Sequence, residues 1–259
     1  MQTGAITGYI DVAQVTLYAF FVFFAGLIFY LRREDKREGY PLESERSGRI
    51  VVQGFPRIPS PKVFRLADGH TVLAPRPEAP QPLLYSEPAG GWLGAPLVPT
   101  GNPMVDGVGP ASYADRADVP DMMFDGPPKI VPLRAAPGYT LAEEDPDPRG
   151  MSVCGADGVV AGSVADAWID RSEMLVRYLE VAATIGAGET RHVLVPMTLV
   201  RIDRARKLVN VASVMGTQFA EAPVLASPDQ ITLREEDRVS AYFGGGHMYA
   251  TPARGGPLL

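Results

Sequence analysis

The chain reads as mainly β with α: one N-terminal transmembrane helix, a proline-rich extended strap, a small antiparallel β-barrel and a C-terminal surface helix. Three observations predict this. Residues Val12 to Leu31 run for twenty positions without a charge. Prolines crowd the stretch from Gly39 to about Pro148, and short apolar runs punctuated by turn residues recur from Met151. The corresponding segments are 1–11, 12–31, 32–148, 149–226 and 227–259.

The opening run, VAQVTLYAFFVFFAGLIFYL, is long enough as a helix to reach ~30 Å, the thickness of a bilayer's hydrocarbon core. Its polar members, Gln14 and Thr16, lie near its first end, and Tyr9, Tyr18 and Tyr30 supply rings suited to the interfaces. A signal peptide would place its basic residues before the apolar core and end in a small-residue cleavage site. Here only Asp11 is charged before the run, while Arg32, Arg33, Lys36 and Arg37 follow it. The positive-inside tendency therefore predicts an uncleaved single-pass anchor, with 1–11 facing away from the cytoplasm and the bulk inside. Those four basic residues can also meet anionic headgroups, but Glu34, Asp35 and Glu38 weaken that role.

The strap carries Pro56, Pro59, Pro61, Pro75, Pro77, Pro80, Pro82, Pro88, Pro96 and Pro99, a density that excludes long helices and central strands. It also interleaves Phe55, Phe64, Leu66, Val72, Leu73, Trp92, Leu97 and Val98, which suits a segment lying on another surface. Strands are predicted at Lys62–Leu66 and Thr71–Ala74, around the turn signal Asp68-Gly69.

Beyond Met151, short strands are predicted at Val153-Cys154, Val159–Val164, Ala167–Ile169, Leu175–Val181, His192–Pro196, Leu199–Ile202 and Leu208–Val211. Turn residues such as Asp157-Gly158, Arg171-Ser172 and Gly186-Ala187-Gly188 separate them, a spacing that describes a small barrel or curled sheet. Ser227 as cap and Pro228 at the first helical position then predict a helix over Gln230–Phe243, stopped by Gly244-Gly245-Gly246. Glu235, Glu236 and Asp237 read as its solvated face.

A net charge of -6 argues against nucleic-acid binding. The single cysteine, Cys154, cannot form an internal disulfide and reads as a small core residue. His70, His192 and His247 are scattered without zinc-site spacing and read as hydrogen-bonded or solvated. No phosphate loop, zinc-protease or serine-hydrolase pattern occurs, so no enzyme is predicted and no cofactor or metal is expected on this chain.

A long series of phrases in one order resembles the H subunit of the purple bacterial photosynthetic reaction centre. They include Ala25-Gly26-Leu27-Ile28, Arg37-Glu38-Gly39-Tyr40-Pro41-Leu42, Gly101-Asn102-Pro103-Met104 and Asp106-Gly107-Val108-Gly109-Pro110-Ala111. Pro128-Lys129-Ile130, Trp168-Ile169-Asp170, Arg177-Tyr178-Leu179-Glu180-Val181, Glu235-Glu236-Asp237 and Met248-Tyr249-Ala250 continue it. The resemblance implies a barrel of the PRC type and a cytoplasmic domain capping the L and M subunits in the bacterial inner (intracytoplasmic) membrane. It places bacteriochlorophyll, bacteriopheophytin, quinones, non-haem iron and carotenoid on L and M, with none held directly here. Further candidate partners are a light-harvesting antenna ring, a cytochrome subunit and membrane lipids.

The resemblance also points to site residues for proton delivery to a secondary quinone. Asp170 and Glu173 bracket a predicted hairpin tip, close enough for their titrations to couple. Arg177 on the returning strand would favour their ionised forms. Asp125 ends an acidic run with Asp118 and Asp121 and is a candidate surface entry point. Some family members carry two histidines after that aspartate, whereas Gly126-Pro127-Pro128 stand here, so a histidine-based metal site is not expected. Without the resemblance, Asp, Ser and Glu at such a tip are ordinary turn residues. The alternative function is a membrane-anchored PRC-barrel adaptor or assembly protein with no proton-transfer role, since such barrels serve several settings.

Overall fold

A computed structural model describes residues 4, 6–7, 11–40, 42–44, 49–52, 54–76, 84–92, 95–186 and 188–255. The expected interfacial Tyr9 and the turn residue Ala187 lie outside this set. Two compact units emerge: 1–83 with 90–96, and 84–89 with 97–259.

Helix α1 spans Val12–Asp35, one turn beyond the apolar run. The Asp11 carboxylate caps it by accepting the Gln14 N–H at 2.7 Å, and Arg32 and Arg33 occupy the last turn, where cations suit the helix dipole. None of its residues is buried among the described residues, although Phe29 meets Phe55 near its end. By length and composition it is the one membrane-span candidate among the described residues. Strands β1 (Leu42–Ser44) and β2 (Arg49–Val52) pair antiparallel, as do β3 (Lys62–Arg65) and β4 (Thr71–Ala74) across the predicted Asp68-Gly69 turn. The basic cluster after the span divides in two. Lys36 is only 2% exposed and donates to the Pro56 carbonyl at 2.6 Å; Arg37 donates to the Ser60 and Ala74 carbonyls and to Glu34. Lys36 and Arg37 are thus committed to their own unit, and Arg32 and Arg33 are the outward-facing pair.

In the second unit, β5 (Ser86–Pro88) pairs with β6 (Leu97–Pro99), and the short helix α2 covers Pro103–Asp106 under an Asn102 cap. The main sheet holds β7 (Ile130–Pro132), β8 (Ser152–Cys154), β9 (Val160–Asp170), β10 (Leu175–Ile185), β11 (Glu189–Pro196), β12 (Val200–Asp203) and β13 (Leu208–Val211). The order is β11-β10-β9-β8-β13-β12, with β7 also on β9. The pairs are antiparallel except β13 with β8, and the sheet is a curled half-barrel. Two predicted runs, Val159–Val164 and Ala167–Ile169, are joined in one bulged strand, β9, because β10 pairs with it continuously from Gly162 to Asp170. Trp168, Leu179, Val181, Val193, Val195, Val209 and Val211 are almost entirely shielded. Burying a side chain of this size is worth about 1.5–3 kcal/mol. Cys154 is a buried free thiol, as its apolar run predicts.

Helix α3 runs Leu233–Tyr249, which corrects the expected helix at both ends. Its start is fixed by Thr232, not Ser227. The Thr232 hydroxyl accepts the Glu235 N–H and the Glu235 carboxylate accepts the Thr232 N–H, a reciprocal capping box. The glycine triplet does not stop it. A Cβ on Gly245 would stand 2.5 Å from the Ala111 Cβ, and one on Gly246 2.5 Å from the Ser213 carbonyl. The glycines are therefore where two neighbouring backbones press closest. Tyr242 and Phe243 beside them fill the core against Phe219.

Candidate functional site

The β9–β10 hairpin turns through Arg171, Ser172, Glu173 and Met174, and Met174 takes a left-handed backbone (φ 54°). Asp170 closes it: one carboxylate oxygen accepts the Ser172 and Glu173 N–H groups, both at 2.9 Å. This is the ordinary work of an aspartate at a turn. The other oxygen does something further. It accepts from Arg177 Nε at 3.2 Å and faces Lys129 Nζ at 3.4 Å, with no side-chain exposure to solvent. Arg177 also donates to Glu173 at 2.8 Å, and Lys129 stands 3.7 Å from Glu173 and 3.8 Å from Asp121. Three carboxylates therefore share two cations.

Lys129 arrives from a different part of the chain. Ile130 pairs with Asp170 and Val131 with Ile169, so β7 lays the preceding lysine beside the hairpin tip. The register is secured by the Arg171 N–H on the Lys129 carbonyl at 3.0 Å and by the Arg171 guanidinium on the Pro128 carbonyl.

Burial pushes the Asp170 carboxyl up, but the Glu173 N–H, Arg177, the Ser172 N–H and Lys129 together hold it below the usual aspartate value. Burial likewise pushes Lys129 down, and Asp170, Glu173 and Asp121 outweigh that and raise it. Both groups are thus held charged. The opposite holds next door. Tyr178 follows Arg177 on β10 and donates its hydroxyl to Glu236 of α3 at 3.2 Å. Burial raises the Glu236 carboxyl above its ordinary value, against the pull of Tyr178, Arg116 and Arg177 and with the push of Asp121. This corrects the solvated-face reading of Glu235, Glu236 and Asp237: Glu235 caps, Glu236 is partly buried and Asp237 pairs with Arg116 at 3.2 Å.

Asp170, Glu173 and Arg177 are thus brought together. Asp125 is not. It lies exposed on the tip of a loop closed by Lys129 N–H on the Asp121 carbonyl and Met123 N–H on the Pro127 carbonyl. Among the described residues it has no hydrogen-bond or ion-pair partner, and Phe124 beside it is fully exposed. No group of three or more His, Cys, Asp and Glu side chains with metal-holding geometry occurs among the described residues. Lys129 and Glu236 escaped sequence reasoning. The available signal was a lysine just before an apolar triplet able to pair as an edge strand.

A further cluster lies on the sheet. Glu180 of β10, 6% exposed, accepts from Arg134 at 2.6 Å, the Trp168 indole at 2.8 Å and, at 2.6 Å, the Nδ1 of His192 on β11.

An unburied apolar helix of membrane-spanning length, joined in one chain to a half-barrel, defines a class: a β-domain protein with one membrane-span candidate among the described residues. Comparison with known families makes this particular. Residues 4–135 match the family described as "Photosynthetic reaction centre, H-chain N-terminal region", and residues 142–214 match the PRC-barrel domain. The chain belongs to the photosynthetic reaction centre H-chain family, whose members are non-catalytic structural subunits.

Proposed function

We propose that this H chain caps the L and M subunits on the cytoplasmic side, steadies the quinone region and helps conduct protons to the secondary quinone. The carrying observation is the pairing of a half-exposed carboxylate, Glu173 (47%), with a wholly buried one, Asp170 (0%), across the shared cations Arg177 and Lys129. A proton taken from solvent at the first has a polar route inward. Asp170, held ionised, supplies fixed negative charge that favours a passing proton; Glu173 is the member of the pair open to bulk water. Glu236, whose carboxyl is raised, extends the set of groups able to hold one. Asp125 serves as an outer collecting charge.

Membrane orientation follows from Arg32 and Arg33 after the span: the N-terminus faces the periplasm and the second unit the cytoplasm. The complex's bacteriochlorophyll, bacteriopheophytin, quinones, iron and carotenoid belong to L and M. Docking onto those subunits is supported by exposed apolar side chains on the two loops around the cluster: Met122, Phe124, Met174 and Leu175. Large exposed apolar patches mark protein–protein interaction sites.

The test is the double variant Asp170→Asn with Glu173→Gln in the native complex. Proton-coupled reduction of the secondary quinone slows while primary charge separation is unchanged. Wild-type proton-uptake kinetics would remove these residues from the route. The amide oxygen that Asp170→Asn introduces still accepts the two turn N–H groups, so the hairpin survives.

A further inference from the structure

Between the outer part of β9–β10–β11 and the segment leading to α3 lies a cavity of about 580 Å³, within the range of small-molecule sites. Trp168, Leu194, Leu225 and Pro228 supply apolar walls, and Glu180 and His192 supply polar atoms. Arg134 also borders it, yet four of its five guanidinium N–H groups are committed: Nε to Asp229 at 3.1 Å, Nη1 to Asp166 at 3.2 Å and to Glu180, and one of Nη2 to the Pro228 carbonyl. It is not free to fork an anion.

The charge count points the same way. Three carboxylates, Asp166, Glu180 and Asp229, meet one guanidinium, an excess of two negative charges when His192 is neutral. Glu180 is held ionised: burial raises its carboxyl, but Arg134, Trp168 and His192 together bring it below the ordinary value. An ionised carboxylate only accepts, so His192 Nδ1 is the donor of this bond, and the neutral tautomer with its proton there presents Nε2 as an acceptor. Both Glu180 Oε2 lone pairs are taken, by Arg134 and Trp168, whereas Oε1 meets His192 alone. Two acceptors with spare capacity, one of them on a carboxylate in locally negative surroundings, thus border an apolar hollow.

We propose that this cavity is a binding site for an organic monocation: a protonated amine on an apolar body, its N–H groups meeting His192 Nε2 and Glu180 Oε1 and its body lying against Trp168, Leu194 and Leu225. The site is separate from the Asp170 cluster and carries its own test.

The Trp168 indole N–H, bonded to the same carboxylate, is the reporter; the Trp92→Phe variant of the full chain leaves it the sole indole. The full chain in lipid nanodiscs is titrated with naphthylmethylammonium, naphthylmethanol and naphthoate, and the indole N–H resonance is followed. The ammonium is expected to shift it at a concentration ~10-fold or more below that needed for naphthoate, as one favourable charge contact implies. Ala226→Phe, at an exposed lining position, is expected to abolish the shift while the unligated resonance stays in place. No shift with any probe, a shift with naphthoate at equal or lower concentration, or a shift that persists in Ala226→Phe would each overturn the proposal.

Discussion

Lys129 Nζ stands 3.4 Å from the Asp170 carboxylate although forty-one positions separate them in the sequence, and the strand pairing that holds it there is the triplet Ile130–Pro132 on β9. A buried charge is thereby compensated from outside its own hairpin, and the pair behaves as one electrostatic unit.

Replacing Lys129 with Gln is expected to destabilise the second unit by about 1.5 kcal/mol, the low end of the range for interactions with a charged group, since Arg177 and two N–H groups remain. The pH dependence has a definite sign. Asp170 has a lowered native value, so its stabilisation is complete above the ordinary aspartate range and is lost as pH falls through the lowered value. In Lys129→Gln the native value lies closer to the ordinary one, so the acid loss is smaller and is complete at higher pH. Urea melts across the acid range check this; an unmoved acid limb would show that Lys129 contributes nothing to Asp170.

Glu236 has the reverse linkage. Its raised carboxyl means the native state binds more protons than the unfolded chain between the ordinary glutamate value and the raised one. Stability from this group therefore increases as pH falls through that window. Tyr178→Phe removes the hydroxyl that favours the ionised form and is expected to raise Glu236 further, at a cost of about 1 kcal/mol. Carboxyl-carbon titration by NMR reads the shift directly.

The glycines of α3 separate helix propensity from packing. Gly244 has nothing within 4 Å of a built Cβ, so Gly244→Ala is expected to stabilise by up to ~1 kcal/mol. Gly246→Ala places a methyl 2.5 Å from the Ser213 carbonyl and 2.6 Å from Val214. Overpacking of about 1–3 kcal/mol there outweighs the propensity gain, so this variant is expected to melt lower. Equal melting temperatures for the two would mean that the helix packs more loosely against residues 213–214.

Zinc or cadmium is expected to slow proton uptake only weakly. Asp125 offers one exposed carboxylate, with prolines at 127 and 128 and no partner ligand among the described residues. Tight, stoichiometric inhibition mapped to this loop by an Asp125→Ala variant would overturn that expectation.

Much of the half-barrel was legible because its strands carry their own signals: alternation through 175–181, β-branched runs at 193–195 and 208–211, and Gly or Asp turns between them. The anchor was legible from its uncharged length. The start of α3 was misread because Ser227-Pro228 mimics a cap, although Thr232 and Glu235 hold the capping-box spacing. The glycine triplet was misread for a different reason. Its partners, Ala111 and Ser213, are remote in sequence, and a tertiary close approach leaves no local trace. Asp170, Glu173 and Arg177 could be grouped because one hairpin carries all three. Lys129 could not, since its place depends on a three-residue strand. Asp125 lies near Lys129 in sequence, but its loop turns the carboxylate to solvent.

That short strand has a consequence for any attempt to transplant the barrel. The outer edge of β9 is shared: β8 covers its first half, and Ile130–Pro132 covers Trp168 to Asp170. A fragment cut at residue 149 would carry a bare half-edge, an open invitation to pair with a stranger. It would also leave Asp170 without one of its two cations. Lineages that shuffle such barrels between proteins must therefore find a new donor for the missing strand, or the graft will recruit one from a neighbouring molecule.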